Sequence, residues 1–175
     1  MNTQEAILSR KSTRAYKSEQ ISDEALENII KAACASPVAM AQYQSLHITI
    51  IQNEDVIKHI NELTSEMFAK KTGVKKNTDF GAKTMILVSS THTELPLQME
   101  YANVGIVVEN MVIAATGMGI DSVILGGAPR IIAEDNELIK ALGIPDGFVP
   151  VLGAVFGYAV ENAPAKSHAI NVNRI

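Results

Sequence analysis

The hydrophobic and polar positions near the N-terminus recur with the period of an α-helix. Asn2 or Thr3 caps a short helix over residues 3–8, and Asn2 with Glu5 has the spacing of a capping box. A second helix begins at Ser22, and its apolar positions repeat every three or four residues until a Ser-Pro pair ends it. One face of this second helix is therefore predicted to lie in the core.

The same periodicity predicts three more helices further along the chain. The first covers residues 55–71 and stops at Gly73, after which residues 73–79 are polar and predicted to be mobile. The second, residues 98–118, is the longest and is apolar on more than one side, so it belongs inside the protein or against a second subunit. The third is a short helix over residues 136–142.

Short segments rich in β-branched and apolar residues predict strands. Residues 47–51 and 84–90 are both predicted to be central strands, and residues 122–125 and 149–158 complete the set. The tail that begins at Ala159 has no periodic pattern. Helices and strands therefore mix along the whole chain.

Length, composition and charge narrow the class of protein. A chain of 175 residues can bury a real core and suits one domain, so residues 1–175 are predicted to form a single domain. Hydrophobic residues make up 47% and charged residues 19%, which is typical of a globular chain. The net charge of -4 and the pI near 5.6 argue against a nucleic-acid partner, because such domains concentrate Lys and Arg on a basic surface.

Cysteine and histidine content argues against a metal site and an oxidising compartment. Cys34 is the one cysteine, so no intrachain disulfide can form, and the four histidines lack the spacing of metal ligands. The N-terminus has polar residues where a secretory signal needs an apolar core, and the longest apolar stretch, residues 104–115, is too short to span a membrane. We therefore expect a cytoplasmic protein with no membrane partner.

Residues 10–14 (RKSTR) carry the strongest local chemical signal. Side chains alternate along an extended segment, so Arg10, Ser12 and Arg14 would share one side and could surround a dianion. Guanidinium groups bind phosphate oxygens in bidentate fashion, and a hydroxyl adds a further donor. The same residues also suit an exposed basic loop that stabilises the end of the preceding helix through its dipole. The pattern alone leaves both interpretations open.

A series of further segments follows this cluster in order along the chain. They are residues 36–40 (SPVAM) with Gln44, residues 80–82 (FGA), Glu109-Asn110 in the long helix, residues 121–127 (DSVILGG), residues 142–145 (LGIP), Gly157-Tyr158 and Lys166-Ser167-His168. Together with the Arg-x-Ser-x-Arg segment after a short helix, this series resembles the FMN-dependent nitroreductase family. The resemblance covers nearly the whole chain.

The resemblance implies a fold, a cofactor and a reaction. The implied fold is α+β, an α/β/α sandwich with a central mixed, mainly antiparallel sheet flanked by helices, in a homodimer with the flavin at the subunit interface. The implied cofactor is FMN. NADH or NADPH would reduce it, and an electron-poor small molecule such as a nitroaromatic or a quinone would then take the electrons in the same place, by a ping-pong mechanism. Because that chemistry occurs on the flavin ring, no catalytic side chain is expected.

The resemblance also assigns cofactor-binding residues. Arg10 and Ser12 are expected on the FMN phosphate together with basic residues of the C-terminal tail. Arg14 is expected between the phosphate and the ring, where its charge would favour the reduced flavin. Backbone groups near the proline and of the glycine pair would line the ring. The full expected set is Arg10, Lys11, Ser12, Arg14, Pro37, Val38, Ala39, Gln44, Gly126, Gly127, Lys166 and His168.

Other interpretations compete with these assignments. Gly126 and Gly127 taken alone suit an ordinary turn at a strand end. Glu109 suits pairing with a neighbouring side chain or a place at a subunit boundary. Cys34 suits a small buried hydrophobe. At the level of function, the alternatives are a non-catalytic flavin carrier or sensor, and a related flavin enzyme that carries out flavin fragmentation or dehalogenation.

The resemblance also implies a basic or polar contact to the flavin from the segment ahead of the second strand. Some relatives place a polar or basic side chain near the flavin pyrimidine, ahead of the second strand. Lys75 and Lys76 precede that strand here. Either lysine is therefore a candidate for this position.

Overall fold

A four-stranded antiparallel sheet forms the centre of the structure, a computed structural model that describes residues 1–161 and 163–175. Within these residues the sheet has the order β1-β2-β4-β3, and neighbouring strands are antiparallel. An isolated bridge between Ser12 and Ser122 adds a parallel contact. The expected, mainly antiparallel sheet is confirmed, and its parallel part in these residues is limited to this bridge. Its strands are β1 (Leu46–Ile51), β2 (Thr84–Thr91), β3 (Asp121–Leu125) and β4 (Phe148–Gly157).

Helices cover both faces of this sheet. Within the described residues they are α1 (Thr3–Ser9), α2 (Asp23–Cys34), α3 (Glu54–Thr72), α4 (Leu97–Gly117), α5 (Gly127–Ala133) and α6 (Asn136–Ala141). One apolar cluster joins α2 and α4 to the sheet, and a second joins α3, α5 and α6 to its other face. This is the α/β/α sandwich that the sequence led us to expect.

Alternate side chains of β2 enter the two clusters. Ile86 and Val88 pack with α2 and α4, while Met85 and Leu87 pack with α3 and α5. All four are at most 1% exposed. A strand buried on both faces shows a continuous apolar run, and such a run indicated a central strand at residues 84–90. The structure confirms that prediction.

The prediction that residues 47–51 form a central strand is wrong in its position. Within the described residues β1 pairs with β2 alone, so it lies at the edge of the sheet. Ile50 on this strand is 42% exposed. β-branched residues favour extended backbone at an edge and at a centre alike, so the sequence predicted the strand without predicting its place.

Three of the helix ends that the sequence predicted have capping residues in the structure. Asn2 Oδ1 accepts from Glu5 N and Glu5 Oε2 accepts from Asn2 N, each at 2.9 Å, so the capping box at α1 is present. Ser22 caps α2 through its hydroxyl. Gly73 ends α3 with a φ of 75°, the left-handed conformation that glycine adopts without strain.

Two local predictions differ from the structure. The sequence analysis did not predict α5, because a Gly-Gly pair followed by a proline is typical of a turn. Pro129 lies in the first turn of α5, where a backbone N–H is not required, so the helix tolerates it. Cys34 was predicted to be buried, yet it is exposed at the last position of α2.

The long helix α4 is buried mainly by its own chain. Val104, Val108 and Met111 are 0% exposed between α2 and the sheet. The exposed large apolar side chains of α4 lie in its first half and are between 38% and 52% exposed: Leu97, Met99, Tyr101 and Ile106. The apolar character of α4 therefore reflects a central position in one chain and does not by itself require a second subunit. None of the helices in residues 1–161 and 163–175 is long and apolar enough to cross a membrane.

Candidate functional site

Residues 10–14 leave α1 in an extended conformation beside the start of β3. Thr13 N donates to Ser122 O at 3.0 Å, and Ser12 forms the parallel bridge with Ser122. Thr13 is buried, whereas Ser12 and Arg14 are exposed. Side chains therefore alternate between the two sides of the segment, as extended backbone requires.

Lys11 lies on the side of this segment that faces Asp121. Lys11 Nζ is 3.1 Å from Asp121 Oδ1, and Thr13 Oγ1 donates to the same oxygen at 2.9 Å. The Lys11 and Asp121 side chains are each 20% exposed. The structure thus gives Lys11 a carboxylate partner within the chain and separates it from Ser12 and Arg14.

The two arginines of the segment differ in their partners. Arg10 Nε lies 4.0 Å from Glu109 Oε1 on α4, which supplies the pairing predicted for Glu109. Arg14 Nη1 donates to the carbonyl oxygen of Ser12 at 3.3 Å. Within the part of the chain that the structure describes, no carboxylate pairs with the Arg14 guanidinium. Of the two arginines, Arg14 is therefore the one whose guanidinium is available for an anionic ligand.

A cavity of about 170 Å³ brings Arg14 together with Gly126 and Gly127. Arg14 is far from the two glycines in sequence. The glycines lie where β3 ends and α5 begins. Phe68 of α3 and Phe80, which precedes β2, line the same cavity. The sequence analysis did not single out either phenylalanine for the site, because only the folded chain brings α3 and the loop after it to the end of β3.

The glycines in this cavity differ in what surrounds them. A Cβ atom on Gly127 would lie 3.0 Å from Thr64 Cγ2 and 3.1 Å from Phe68 Cε2, so close packing with α3 explains this glycine. A Cβ atom on Gly126 would meet nothing within 4 Å. Packing within the chain therefore does not account for Gly126, which borders open space.

The expected site residues around Pro37 lie elsewhere. Residues 36–44, here called the 36–44 loop, connect α2 to β1 and contact α4, where Asn103 Oδ1 accepts from Ala39 N at 2.9 Å. Pro37 and Gln44 are exposed, and Val38 is 8% exposed. In the described part of the chain, none of the expected loop residues lines the Arg14 cavity. Within one chain, the 36–44 loop and the Arg14 cavity are therefore separate parts of the expected site.

The C-terminal tail starts beside the segment that carries the arginines. Lys17 N donates to Tyr158 O at 2.8 Å and Val160 N donates to Ala15 O at 3.0 Å, so the chain leaves β4 antiparallel to residues 15–17. Lys166 and His168 lie further along the tail, exposed and outside regular secondary structure. The structure therefore places the start of the tail, residues 158–160, beside residues 15–17, which directly follow the arginine segment.

Acid–base groups are sparse around the cavity. Among the described residues that line the cavity, Arg14 alone has a titratable side chain. Tyr16, two residues further, is 7% exposed, and burial followed by the Asp121 carboxylate raises the pKa of its hydroxyl far above the ordinary value. Tyr16 therefore stays protonated at neutral pH. Among the described lining residues, the cavity therefore offers a fixed positive charge and no internal acid or base.

The lysines that precede β2 have no contact with this cavity. Lys75 Nζ lies 3.9 Å from Glu66 Oε1 on α3, and Lys76 is exposed. Among residues 1–161 and 163–175, no group of three or more His, Cys, Asp and Glu side chains is arranged to hold a metal ion.

Two curated proteins and two solved structures show what this chain is similar to. An Archaeoglobus fulgidus protein, named as a candidate NADH dehydrogenase/NAD(P)H nitroreductase, is 31% identical over 156 residues, which cover 87% of this chain and 82% of that protein. The NADPH-flavin oxidoreductase of Vibrio harveyi is 28% identical over 94% of this chain and 69% of its own length.

The solved structures carry the same fold. A nitroreductase with bound FMN from Desulfitobacterium hafniense has a TM-score of 0.86 at 24% identity and covers 99% of this chain and 100% of its own. A nitroreductase with bound FMN from Bacteroides fragilis has a TM-score of 0.83 at 25% identity, covering 100% of this chain and 97% of its own. The sequence pattern of the nitroreductase family matches residues 7–158, so the chain belongs to the nitroreductase family.

Proposed function

We propose that this protein is an FMN-dependent oxidoreductase that takes electrons from NADH or NADPH and passes them to an electron-poor small molecule. The observation that carries the proposal is the convergence of Arg14 and Gly126 on one cavity. An exposed guanidinium without a carboxylate partner suits an anion, and an open glycine lets a planar ring approach the backbone. Family membership and the FMN in the relatives' structures support the same cofactor.

The donor set fits a flavin phosphate. Arg10, Ser12 and Arg14 offer two guanidinium forks and a hydroxyl from one extended segment, which matches the acceptors of a phosphate dianion. Lys166 and His168 complete the proposed phosphate site from the C-terminal tail. Lys11 faces Asp121 in this structure, so its contribution to the phosphate site would be long-range charge and not direct contact.

The protein's own part in the reaction is to bind, orient and stabilise charge. Bound FMN would supply hydride acceptance and delivery at its ring. Arg14 at the cavity would favour negative charge that develops next to it. Because Arg14 is the titratable group of this cavity within the described residues, the chain supplies no acid or base there. The same cavity would serve the nicotinamide and then the acceptor, which is a ping-pong mechanism with nitroaromatics or quinones as acceptors.

A second copy of the chain would complete the proposed site. The expected ring contacts of Pro37, Val38, Ala39 and Gln44 lie away from the Arg14 cavity in one chain. An apolar groove of about 350 Å³ beside the 36–44 loop is lined in part by Tyr43, Leu46 and Val107. We propose that this face packs in a homodimer, which brings the loop of one subunit to the cavity of its partner. A monomer with full flavin occupancy in sedimentation analysis would contradict this arrangement.

Removing both arginines tests the function most directly. The double variant Arg10→Ala/Arg14→Ala is expected to purify without flavin, while the wild-type protein shows the visible spectrum of FMN and bleaches when NADH or NADPH is added without oxygen. The matched control Lys31→Ala/Lys140→Ala removes the same charge from exposed pairs with Glu27 and Glu137 and is expected to keep its flavin. Full flavin in the arginine variant would reject the site. Flavin that neither nicotinamide reduces would favour a carrier or sensor.

A further inference from the structure

Two side-chain amides of α4, the buried Asn103 and the half-buried Asn110, hold the 36–44 loop. Asn103 Oδ1 accepts from Ala39 N at 2.9 Å, and Asn103 is 2% exposed. Asn110, two turns further along the helix, donates from Nδ2 to Ser36 Oγ at 2.9 Å and to Ala32 O at 3.4 Å. Residues spaced by two turns lie on one face of a helix, so both bonds come from the same side of α4.

Ser36 is the second fixed point of the loop. It is 0% exposed, its hydroxyl accepts from Asn110, and its carbonyl oxygen accepts from Tyr43 Oη at 3.1 Å. Hydrogen bonds therefore hold Ser36 and Ala39, the residues on either side of Pro37 and Val38. Partly buried polar bonds of this kind favour one conformation, because a partner that is shielded from water and left unpaired costs free energy.

The backbone directly after Ala39 is strained. Met40 has a φ of 55° and Ala41 a φ of 54°, in the left-handed region that residues with a side chain seldom adopt. Such a conformation persists where surrounding contacts determine it, and it recurs at functional sites. Met40 is also 80% exposed, so burial of its own side chain does not hold it in place. The bonds from α4 to the loop supply the fixed contacts immediately before the strained pair.

We propose that Asn103 and Asn110 are positioning residues that hold residues 36–39 in the conformation in which their backbone lines the bound flavin. The inference rests on the proposed function, because the ring contact of residues 37–39 is part of that proposal. It goes further by assigning a role to two α4 side chains that do not touch the cofactor. If the two amides served folding alone, their loss would lower stability without a selective effect on flavin binding.

The first measurement is the Kd for FMN, from flavin fluorescence, at a temperature where every variant is folded. Asn103→Ala removes the acceptor for Ala39 N and is expected to raise the Kd about tenfold. Asn103→Asp keeps an oxygen acceptor of the same size and is expected to restore most of the affinity even if the protein melts at a lower temperature. Loss of stability with retained affinity in this variant would separate positioning from folding.

Glu100 provides a matched control on the same helix. It is 4% exposed, and its Oε1 accepts from Thr93 N at 2.6 Å, so it is also a buried α4 side chain that holds a loop. Glu100→Ala is expected to lower the melting temperature while the Kd for FMN changes by less than about twofold. Equal changes in Kd for Asn103→Ala and Glu100→Ala would overturn the proposal.

The Asn110 contact is tested through its partner. Ser36→Ala and Asn110→Ala each remove the bond between Nδ2 and Oγ, so each is expected to raise the Kd for FMN. The Kd of the double variant should be no higher than that of Asn110→Ala, because Asn110→Ala already removes the bond to Ser36 Oγ together with the longer bond to Ala32 O. Fully additive losses would show that the two residues act separately and would reject this contact as the cause.

Hydrogen exchange of the flavin-free protein distinguishes failure of this inference from failure of the proposed function. Asn103→Ala is expected to speed exchange in the 36–44 loop and to leave the loop that contains Thr93 unchanged, with Glu100→Ala giving the reverse. Unchanged exchange, or wild-type affinity for FMN in Asn103→Ala, would overturn the positioning role while flavin chemistry stands. Failure of the wild-type protein to bind FMN would overturn the proposed function and, with it, this inference.

Discussion

Lys11 Nζ lies 3.1 Å from Asp121 Oδ1, across the segment from the exposed side chain of Arg14. The same oxygen accepts from Thr13 Oγ1. Asp121 at the start of β3 therefore binds the two side chains of residues 10–14 that face the sheet, Lys11 and Thr13. The outer side then presents Ser12 and Arg14 from a fixed backbone. The basic cluster is thus divided between a side that pairs with Asp121 and an exposed side that we propose binds the cofactor.

This division predicts different effects for two single-charge substitutions. Lys11→Met is expected to lower the free energy of unfolding by about 1 kcal/mol, since it breaks a partly exposed ion pair. Its effect on the Kd for FMN should be smaller than that of Arg14→Met, which removes the same charge from the exposed side of the segment. Urea unfolding and flavin titration of both variants measure the two effects. An equal loss of affinity would make Lys11 a direct phosphate ligand.

The glycine pair predicts a separation of stability from binding. A Gly126→Val side chain enters open space at a φ of -104°, so the free energy of unfolding should change by less than about 0.5 kcal/mol while FMN affinity falls. Gly127→Val meets Thr64 and Phe68 and should destabilise the protein by about 1–3 kcal/mol. Chemical denaturation and flavin titration compare the pair. Unchanged FMN affinity in Gly126→Val would place the ring elsewhere.

The sequence predicted correctly the features that are determined by residues close together along the chain. The Asn2–Glu5 capping box and the Gly73 stop are decided by atoms within a few residues, and both are present. The place of β1 depends on which strands flank it, which no short segment encodes. The helix α5 was missed because Pro129 is compatible with a helix only at its first turn, and the sequence did not mark that start.

The candidate site shows the same limit. Period-two alternation grouped Arg10, Ser12 and Arg14 on one side of the segment. By the same rule it places Lys11 opposite them, although the family resemblance had included Lys11 among the cofactor ligands. Phe68 and Phe80 line the cavity through the packing of α3 against the end of β3, a relation between distant segments. Neither shows a helical or strand pattern that would distinguish it from an ordinary core residue.

An unpaired hydroxyl in the sheet predicts a stabilising substitution. Ser89 on β2 is 0% exposed, and within the described residues its Oγ has no hydrogen-bond partner. Ser89→Ala removes a buried polar group and should raise the free energy of unfolding by about 1 kcal/mol. Ser90→Ala is the matched control, because Ser90 Oγ donates to Thr91 O at 3.3 Å. A greater loss of stability in Ser89→Ala than in Ser90→Ala, by urea unfolding, would contradict this account.

The carboxylate of Glu100 predicts a pH dependence of stability. The Thr93 backbone N–H, followed by the Thr93 hydroxyl, holds the pKa of Glu100 below its ordinary value of 4.5, and His92 Nδ1 at 3.3 Å acts in the same direction. A pKa that is lower in the folded protein means that the ionised carboxylate stabilises the fold above the ordinary value. That contribution is lost as the pH falls through the folded pKa.

Unfolding of the wild-type protein and Glu100→Gln between pH 7 and pH 3 measures this contribution. The difference in free energy of unfolding should be constant above about pH 5.5 and should shrink as the pH falls below the ordinary value, because protonation makes the wild-type side chain as neutral as the amide. His92→Ala should shift this transition only slightly, since the His92 side chain is 82% exposed and its charge is screened by water. A difference that stays constant to pH 3, or grows in acid, would show that the Thr93 contacts do not favour the ionised form.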